Sequence, residues 1–259
     1  QGVGILPWFP QARFLPAEDI LDIRGKSGDA RDGAPVRIAV PVLARIANFD
    51  DLDPLAGETD VDVTLVEAGD VIPADADLIL LPGSKSTISD LTFLRDQGWD
   101  IDIAAHLRRG GMVMGLCGGY QMLGTKLDDP DGVEGPAGDT LGLGHLGVET
   151  VLAGDKRLTQ VTAHANAFDV PVRGYEIHMG RTGGPDCDRP FLTLDGRPEG
   201  AVSADGAVIG TYLHGIFADD GFRRGFLERR AARRGREGAF GAVDFDARGD
   251  ATLDELAAQ

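Results

Sequence analysis

The sequence has few cysteines, no long hydrophobic run and no excess of positive charge, and each absence excludes a class of protein. Two cysteines among 259 residues cannot form the disulfide framework of a small secreted domain. No apolar stretch approaches the roughly 18 residues that cross a bilayer, and the first residues do not resemble a secretory signal. The net charge of −17 disfavours nucleic acid and membrane surfaces as partners. We therefore expect a soluble, cytoplasmic protein.

The sequence also lacks the common motifs for metals and nucleotides. Its cysteines and histidines do not cluster at the short spacings of metal sites, so we expect no metal here. Gly25-Lys26-Ser27 resembles the end of a phosphate-binding loop, but Ile20 stands where that loop requires glycine. Gly83-Ser84-Lys85 fails as well, because a serine separates the glycine from the lysine. We predict no cofactor in this domain.

Strand and helix patterns alternate from residue 36 onward. Apolar strands are predicted at 36–43, 61–66 and 78–81, and helices begin near Asn48 and at Ser86. This alternation predicts an α/β fold with a doubly wound, mostly parallel sheet.

Beyond residue 127 the pattern changes to a loop and short strands, followed by a helix over 217–234. Further strands are predicted at 147–152, 170–178, 191–194, 201–203 and 207–213. We interpret 1–33 as the end of a preceding domain with a linker, 34–235 as the main domain, and 236–259 as a C-terminal tail.

The segment 115–124, GLCGGYQMLG, predicts a cysteine nucleophile at the turn between a buried strand and a helix. Gly115, Gly118 and Gly119 supply the small neighbours that such a crowded turn requires. A helix N-terminus carries roughly half a positive charge, which favours the thiolate of Cys117. The alternative is a buried structural cysteine, which glycines on both sides make less suitable.

A thiolate needs a base and oxyanion donors before it can catalyse acyl transfer. His214 ends an apolar strand and precedes a glycine, so we predict that it reaches the same sheet edge as Cys117. His178 is the second candidate for the base, and strand alternation places it on one face with Glu176. We predict that the backbone N–H groups of Gly118 and Gly83 hold the oxyanion.

Several segments together resemble the C-terminal class I glutamine amidotransferase domain of the cobyric acid synthase family. They are LPGSKST at 81–87, GLCGGYQMLG at 115–124, GYEIHMG at 174–180 and YLHGIF at 212–217, and NFDDLDPL at 48–55 is also similar. The resemblance implies a flavodoxin-like sheet. It also implies that 1–33 is the remnant of an N-terminal synthetase domain.

The resemblance further implies a division of labour between two domains. Cys117 would attack the side-chain amide of glutamine, His214 would protonate the departing ammonia, and Gln121 would help to hold the glutamine. The ammonia would pass to the synthetase domain. There, ATP and Mg²⁺ would activate the b, d, e and g carboxylates of adenosylcobyrinic a,c-diamide, a corrinoid.

One position departs from the family pattern. Class I amidotransferases usually carry a glutamate two residues after the histidine, and this chain has Ile216 there. The orienting residue would then be missing, supplied by Glu176, or lent by the other domain. The rival functions are an amidotransferase subunit of a cell-wall precursor amidating complex, a non-catalytic binding domain of the same fold, and a cysteine hydrolase.

Overall fold

The computed structural model describes residues 33–154, 157–238, 240–241 and 243–258, and for residues 49 and 157 it describes the backbone alone. Nearly all of the predicted synthetase remnant, at 1–33, therefore lies outside the described residues. No helix in the described ranges combines the length and the apolar character that a membrane crossing requires.

The described residues contain seventeen strands, most of them short. In the first half they are β1 (Val36–Pro41), β2 (Ile46–Ala47), β3 (Val61–Val66), β4 (Leu78–Leu81), β5 (Gly83–Ser84), β6 (Met112–Leu116), β7 (Lys126–Asp129) and β8 (Gly138–Leu141). In the second half they are β9 (Glu149–Val151), β10 (Arg157–Ala165), β11 (Val170–His178), β12 (Arg181–Gly183), β13 (Leu192–Leu194), β14 (Arg197–Glu199), β15 (Ala201–Val202), β16 (Val208–Thr211) and β17 (Leu213–His214).

The α-helices lie mainly against the six-stranded main sheet. They are α1 (Asp53–Ala56), α2 (Thr87–Asp96), α3 (Trp99–Arg108), α4 (Gly118–Leu123), α5 (Asp220–Arg233) and α6 (Phe245–Ala257). Single 3₁₀ turns occur at Phe49–Asp51, Pro185–Asp188 and Ile216–Ala218. Two helices begin at a side-chain cap, because Asp219 accepts a hydrogen bond from Phe222 N and Asp244 accepts one from Ala247 N.

The main sheet confirms the predicted doubly wound α/β fold. Its strands follow the order β15-β16-β6-β4-β1-β3, and all pairs are parallel except the edge pair β15–β16. Without β15, this is the flavodoxin-like order. Helices cover both faces, so the central strands are apolar throughout.

Two hydrophobic clusters fill the space on either side of this sheet. Along β1, Ile38 and Val40 belong to one cluster and Ala39 belongs to the other. This division follows from the alternation of side chains across a strand. The first cluster also contains aromatic residues of α5, among them Phe222 and Phe226.

A second sheet is antiparallel throughout, with the order β14-β13-β10-β11-β17. The sequence pattern did not predict β10, because Ala163 and Ala165, two of its buried residues, are small and have a low β-propensity. Val161, Ala163 and Ala165 alternate with polar residues along its length, and these three side chains are buried. The pairing of β10 with β11 covers nine residues on each strand.

The described residues of the segment interpreted as a C-terminal tail include α6. Phe240 is buried within the first hydrophobic cluster, and the Gly241 N–H donates to the buried carboxylate of Glu58. The Val243 carbonyl accepts a hydrogen bond from Arg223 in α5. This segment is therefore part of the packed domain.

Candidate active site

Four connections that leave the carboxyl ends of parallel strands bring polar groups to one edge of the main sheet. Asp51 follows β1, Gly83 follows β4, Cys117 follows β6, and His214 follows β16. Ligands of doubly wound folds bind at this edge, because the loops that leave the strands converge there. The sequence prediction that Cys117 and His214 reach a common edge agrees with this arrangement.

Cys117 occupies a strained turn between β6 and α4. Its backbone has φ 49° and ψ −105°, a conformation that few non-glycine residues adopt. Its N–H donates to the Thr211 carbonyl at 2.8 Å, which fixes the turn to β16. The side chain is 8% exposed, and Sγ lies 3.6 Å from the Ile177 carbonyl.

Glycines beside Cys117 are required by close backbone contacts. A Cβ on Gly115 would lie 2.6 Å from the Gly119 carbonyl group, and one on Gly119 would lie 2.3 Å from the Leu81 carbonyl oxygen. No other residue type fits these positions without moving the backbone. The geometry is that of a nucleophile elbow, in which a reactive side chain is held at the start of a helix.

His214 is fully buried and is oriented by Asp51. Nδ1 of the imidazole donates to Oδ2 of Asp51 at 2.6 Å, and Gly215 N donates to the other carboxylate oxygen at 2.6 Å. The ring of Tyr175 stacks on the imidazole with centroids 5.2 Å apart. Asp51 thus occupies the third position of a cysteine–histidine–carboxylate arrangement.

The far side of the imidazole faces the nucleophile. Nε2 of His214 is buried and has no hydrogen-bond partner within the described ranges. Burial alone would lower the pKa of His214, but the Asp51 carboxylate and the neighbouring Cys117 raise it, to about 10. The imidazole is therefore protonated at neutral pH and can donate a proton toward the sulfur side.

A network of polar side chains surrounds this pair. The Tyr175 hydroxyl donates to Asp50 at 3.0 Å and accepts from the Asn48 side-chain amide at 2.9 Å. Burial, and then the adjacent charge of Asp51, raises the pKa of Asp50. These contacts fix the Tyr175 ring against His214, which restricts the imidazole to one orientation.

Glu176 does not make the contact that the sequence suggested for it. Tyr175 is the register partner of His214, and its ring takes the position against the imidazole. Successive side chains of a strand point to opposite faces, so Glu176 points away, and it pairs with Arg197 at 2.7 Å. The orienting carboxylate belongs to Asp51 instead.

The N–H of Gly83 is also directed away from its predicted role as an oxyanion donor. Lys85 N donates to the Arg45 carbonyl. The pair formed by Ala47 and Gly83 lies two positions farther along the β2–β5 ladder. The alternation of antiparallel pairs then directs the Gly83 N–H toward Ala47. The Cβ position of Gly83 lies 3.2 Å from Cε1 of His214, so the absent side chain makes room for the imidazole.

The same alternation directs the N–H of Ser84 away from β2. The Ser84 nitrogen lies 2.9 Å from the Cβ position of Gly118, the residue after the nucleophile. Ser84 and Gly118 therefore bring two backbone amides close together beside the elbow. Ser84 is therefore a further candidate, beside Gly83 and Gly118, for holding an oxyanion.

Gln121 lies within the site but already makes three contacts. Its amide nitrogen donates to the Met179 carbonyl at 2.9 Å and to the Tyr212 hydroxyl at 3.2 Å, and its oxygen accepts from Thr87 at 3.0 Å. The side chain is 3% exposed. In this structure Gln121 joins α4, α2 and the strand that ends at His178.

His178, the second candidate for the base, makes a different contact. Its ring stacks on Tyr212 with centroids 3.7 Å apart, and Nδ1 is buried without a hydrogen-bond partner among the described residues. Burial lowers the pKa of His178, which keeps it neutral. The orienting carboxylate is therefore found at His214 and not at His178.

Sequence reasoning missed Asp51, although one signal pointed to it. Asp50 and Asp51 are adjacent acids in the first connection of a doubly wound sheet, and such connections end at the ligand-binding edge. The sequence pattern assigned this segment only to the start of a helix and to the family resemblance at 48–55, without a role for Asp51. Across the described ranges no group of three or more His, Cys, Asp or Glu side chains could hold a metal ion.

Comparisons with known proteins agree with this geometry. Residues 37–222 match the sequence model of the CobB/CobQ-like glutamine amidotransferase domain. The chain is 57% identical over 256 residues to a cobyric acid synthase of Ruegeria sp. (strain TM1040) and 54% identical over 257 residues to one of Bradyrhizobium diazoefficiens. Each alignment covers 99% of this chain and 51% of the relative. The chain thus spans about half the length of these curated relatives.

Solved structures share the fold at low sequence identity. PurLQS from Thermotoga maritima superposes with a TM-score of 0.58 and 19% identity, over 78% of this chain and 99% of that one. A structure described as a glutamine amidotransferase superposes with a TM-score of 0.52 and 14% identity, over 75% of this chain and 98% of that one. The likeness concerns the backbone architecture alone.

Proposed function

The chain belongs to the CobB/CobQ-like glutamine amidotransferase domain family, and we propose that it hydrolyses glutamine to supply ammonia within a cobyric acid synthase. The observation that supports the proposal most directly is the 2.6 Å hydrogen bond between Asp51 and His214, which lies beside the strained turn of Cys117. A nucleophile, a base and an orienting carboxylate are the groups that acyl transfer requires.

In the first half of the reaction the Cys117 thiolate attacks the side-chain amide carbon of glutamine. The carbonyl oxygen becomes an oxyanion, which the backbone amides of Gly118 and Ser84 hold. The carbon–nitrogen bond then breaks, and the His214 imidazolium gives its proton to the leaving nitrogen. The products are ammonia and a γ-glutamyl thioester on Cys117.

In the second half the neutral His214 takes a proton from water, which attacks the thioester carbon. The carbon–sulfur bond breaks, glutamate leaves, and the thiolate–imidazolium pair is restored. Asp51 holds the imidazole in one tautomer and stabilises its positive charge, so one histidine serves as acid and then as base.

The partner and the acceptor belong to the same proposal, which the names of the relatives support. Half of each cobyric acid synthase lies outside the region that this chain matches. We assign the ATP- and Mg²⁺-dependent activation of corrinoid carboxylates to that other half, with adenosylcobyrinic a,c-diamide as the acceptor. The present domain contributes ammonia and needs no cofactor for that step.

The test uses the complete polypeptide, with both halves present. The wild type should release glutamate from glutamine, and Cys117→Ala should abolish this release. In the wild type, a diazoketone analogue of glutamine should alkylate Cys117. Amidation of the corrinoid with glutamine should be lost in Cys117→Ala, and amidation with added ammonia should persist. Absence of glutamate release from the wild type would support a non-catalytic domain, and alkylation by peptide or ester reagents alone would support a cysteine hydrolase.

A further inference from the structure

The chain changes from one sheet to the other immediately before His214. Thr211 is the last residue of β16 and pairs with Leu116 in the main sheet. Leu213 begins β17 and pairs with Glu176 in the second sheet. Tyr212 lies between them and belongs to neither ladder, so its backbone N–H has no strand partner. A buried N–H in such a position needs another acceptor.

Glu199 supplies that acceptor. One carboxylate oxygen accepts the Tyr212 N–H at 2.7 Å, and the other accepts the Thr211 hydroxyl at 2.7 Å. The Thr211 hydroxyl oxygen accepts the Leu213 N–H at 3.0 Å. One carboxylate and one hydroxyl therefore fix three consecutive residues at the point where the chain changes sheets.

This segment joins the two groups that react. The Thr211 carbonyl accepts the Cys117 N–H at 2.8 Å, and His214 follows Thr211 by three residues. A change in the path of the chain at Thr211 and Tyr212 would therefore alter the position of the imidazole relative to the sulfur. The Tyr212 hydroxyl also contacts Gln121 at 3.2 Å, so the same segment supports a second residue of the site.

Glu199 is held firmly in an environment that is unfavourable for a charge. It is 5% exposed and ends β14. The next residue, Gly200, has φ +72°, and a Cβ there would lie 2.4 Å from the Gly210 carbonyl oxygen. Burial raises the pKa of Glu199 to about 7, despite the hydrogen bonds from Tyr212 and Thr211, which lower it. An apolar side chain would avoid this cost but could not accept both hydrogen bonds.

We propose that Glu199 is a positioning residue for glutamine hydrolysis, which sets the placement of His214 against Cys117 through Thr211 and Tyr212. This inference rests on the proposed function. It adds a carboxylate that lies outside the Cys117, His214 and Asp51 arrangement and acts through the Thr211 hydroxyl and the Tyr212 backbone N–H.

The test compares Glu199→Gln with the wild type in the complete polypeptide. A glutamine side chain keeps one acceptor oxygen for the Tyr212 N–H, but its amide group can only donate to the Thr211 hydroxyl. The substitution therefore removes the negative charge and reverses the hydrogen bond with Thr211. We expect kcat for glutamate release to fall by about 10- to 100-fold with KM changed by less than about two-fold, because the substrate pocket stays formed and the reacting groups are displaced. Alkylation of Cys117 by iodoacetamide at neutral pH should slow as well. This reagent reacts with the thiolate directly, so its rate measures the reactivity of Cys117 in the absence of glutamine.

A pair of variants at Thr211 provides a second test that does not depend on the folding of Glu199→Gln. Thr211→Val keeps the shape and removes the hydroxyl, and it should reproduce the loss of kcat. Thr211→Ser keeps the hydroxyl and should lose much less. Glu199→Gln combined with Thr211→Val should be little worse than either variant alone, because both disrupt the same linkage.

Asp77→Asn is the matched control. Asp77 is also a buried carboxylate that accepts a backbone N–H, from Arg37 at 2.9 Å, but it precedes β4 at the opposite edge of the sheet. Asp77→Asn should lower the melting temperature and leave kcat of the folded protein unchanged.

If the wild type releases no glutamate, the proposed function fails. If the wild type is active and folded Glu199→Gln or Thr211→Val retains its kcat, the role of Glu199 is overturned.

Discussion

Asp51 and His214 lie 163 positions apart in the chain and share a 2.6 Å hydrogen bond between Oδ2 and Nδ1, with both side chains buried. The second oxygen of Asp51 accepts the N–H of Gly215, so the carboxylate holds the histidine by its ring and by the adjacent backbone. Ile216 stands two residues after the histidine, so the carboxylate beside the imidazole comes from Asp51.

Replacing Asp51 with asparagine tests this assignment. The amide keeps the shape of the carboxylate but removes its charge and can present a donor to Nδ1. We expect kcat for glutamate release to fall by roughly 100-fold or more, in the direction known for the comparable change in other triads. Glu176→Gln is the comparison, since Glu176 pairs with Arg197, and it should have a much smaller effect. A larger loss in Glu176→Gln than in Asp51→Asn would restore the alternative that the sequence left open.

The ion pair between Asp51 and His214 should make stability depend on pH. An unfolded histidine has a pKa of about 6.5, and in the folded state Asp51 and Cys117 outweigh burial and raise the pKa of His214 to about 10. The folded state therefore binds the proton more tightly. The stabilisation is complete below about pH 6.5 and is lost as the pH rises toward about 10.

Urea denaturation of the wild type and Asp51→Asn across this interval measures the effect. The difference in free energy of unfolding between the two should shrink as the pH rises. Asp169→Asn removes the partner of the exposed His164, and its difference from the wild type should stay small throughout. A constant difference for Asp51→Asn would contradict the expected proton linkage.

Alanine at two helical glycines should act in opposite directions. In Gly119→Ala the new Cβ would lie 2.3 Å from the Leu81 carbonyl oxygen, so the backbone must shift and the elbow loses stability. In Gly249→Ala, within α6, no atom lies within 4 Å of the new Cβ. Gly249→Ala should stabilise the protein by about 0.5–1 kcal/mol, because alanine favours the helix. Thermal melts of both variants measure these effects, and stabilisation by Gly119→Ala would contradict the packing at the elbow.

A buried ion pair behind the site should contribute strongly to stability. Arg223 is fully buried, pairs with Glu58 at 2.6 Å and donates to the Val243 carbonyl at 2.7 Å. Arg223→Ala removes the guanidinium that pairs with the buried Glu58 carboxylate, so we expect a loss of about 3–5 kcal/mol in the free energy of unfolding. The partly exposed pair of Lys126 and Asp139, at 3.9 Å, is the control, and Lys126→Ala should cost less than about 1 kcal/mol. Equal losses in chemical denaturation would show that burial of the ion pair has no special effect.

Much of the fold could be predicted from local pattern. The apolar runs at 61–66 and 78–81 predict β3 and β4 with their observed bounds, and the run at 170–178 does the same for β11. The prediction missed β10, because two of its buried residues, Ala163 and Ala165, are small and have a low β-propensity. It also interpreted residues 236–259 as a tail, because α6 has few buried residues of its own and Val243, which precedes α6, contacts the distant residue Arg223.

The sequence by itself determined that Cys117 stands at an elbow and that His214 ends a strand, since glycine spacing and apolar runs act on the neighbouring backbone. Only the tertiary structure decided that Asp51 orients His214, that Tyr175 excludes Glu176 from the imidazole, and that the Gly83 N–H is directed toward Ala47. These choices depend on the register between strands and on contacts between residues far apart in the chain. Local propensity carries no information about which distant groups will meet.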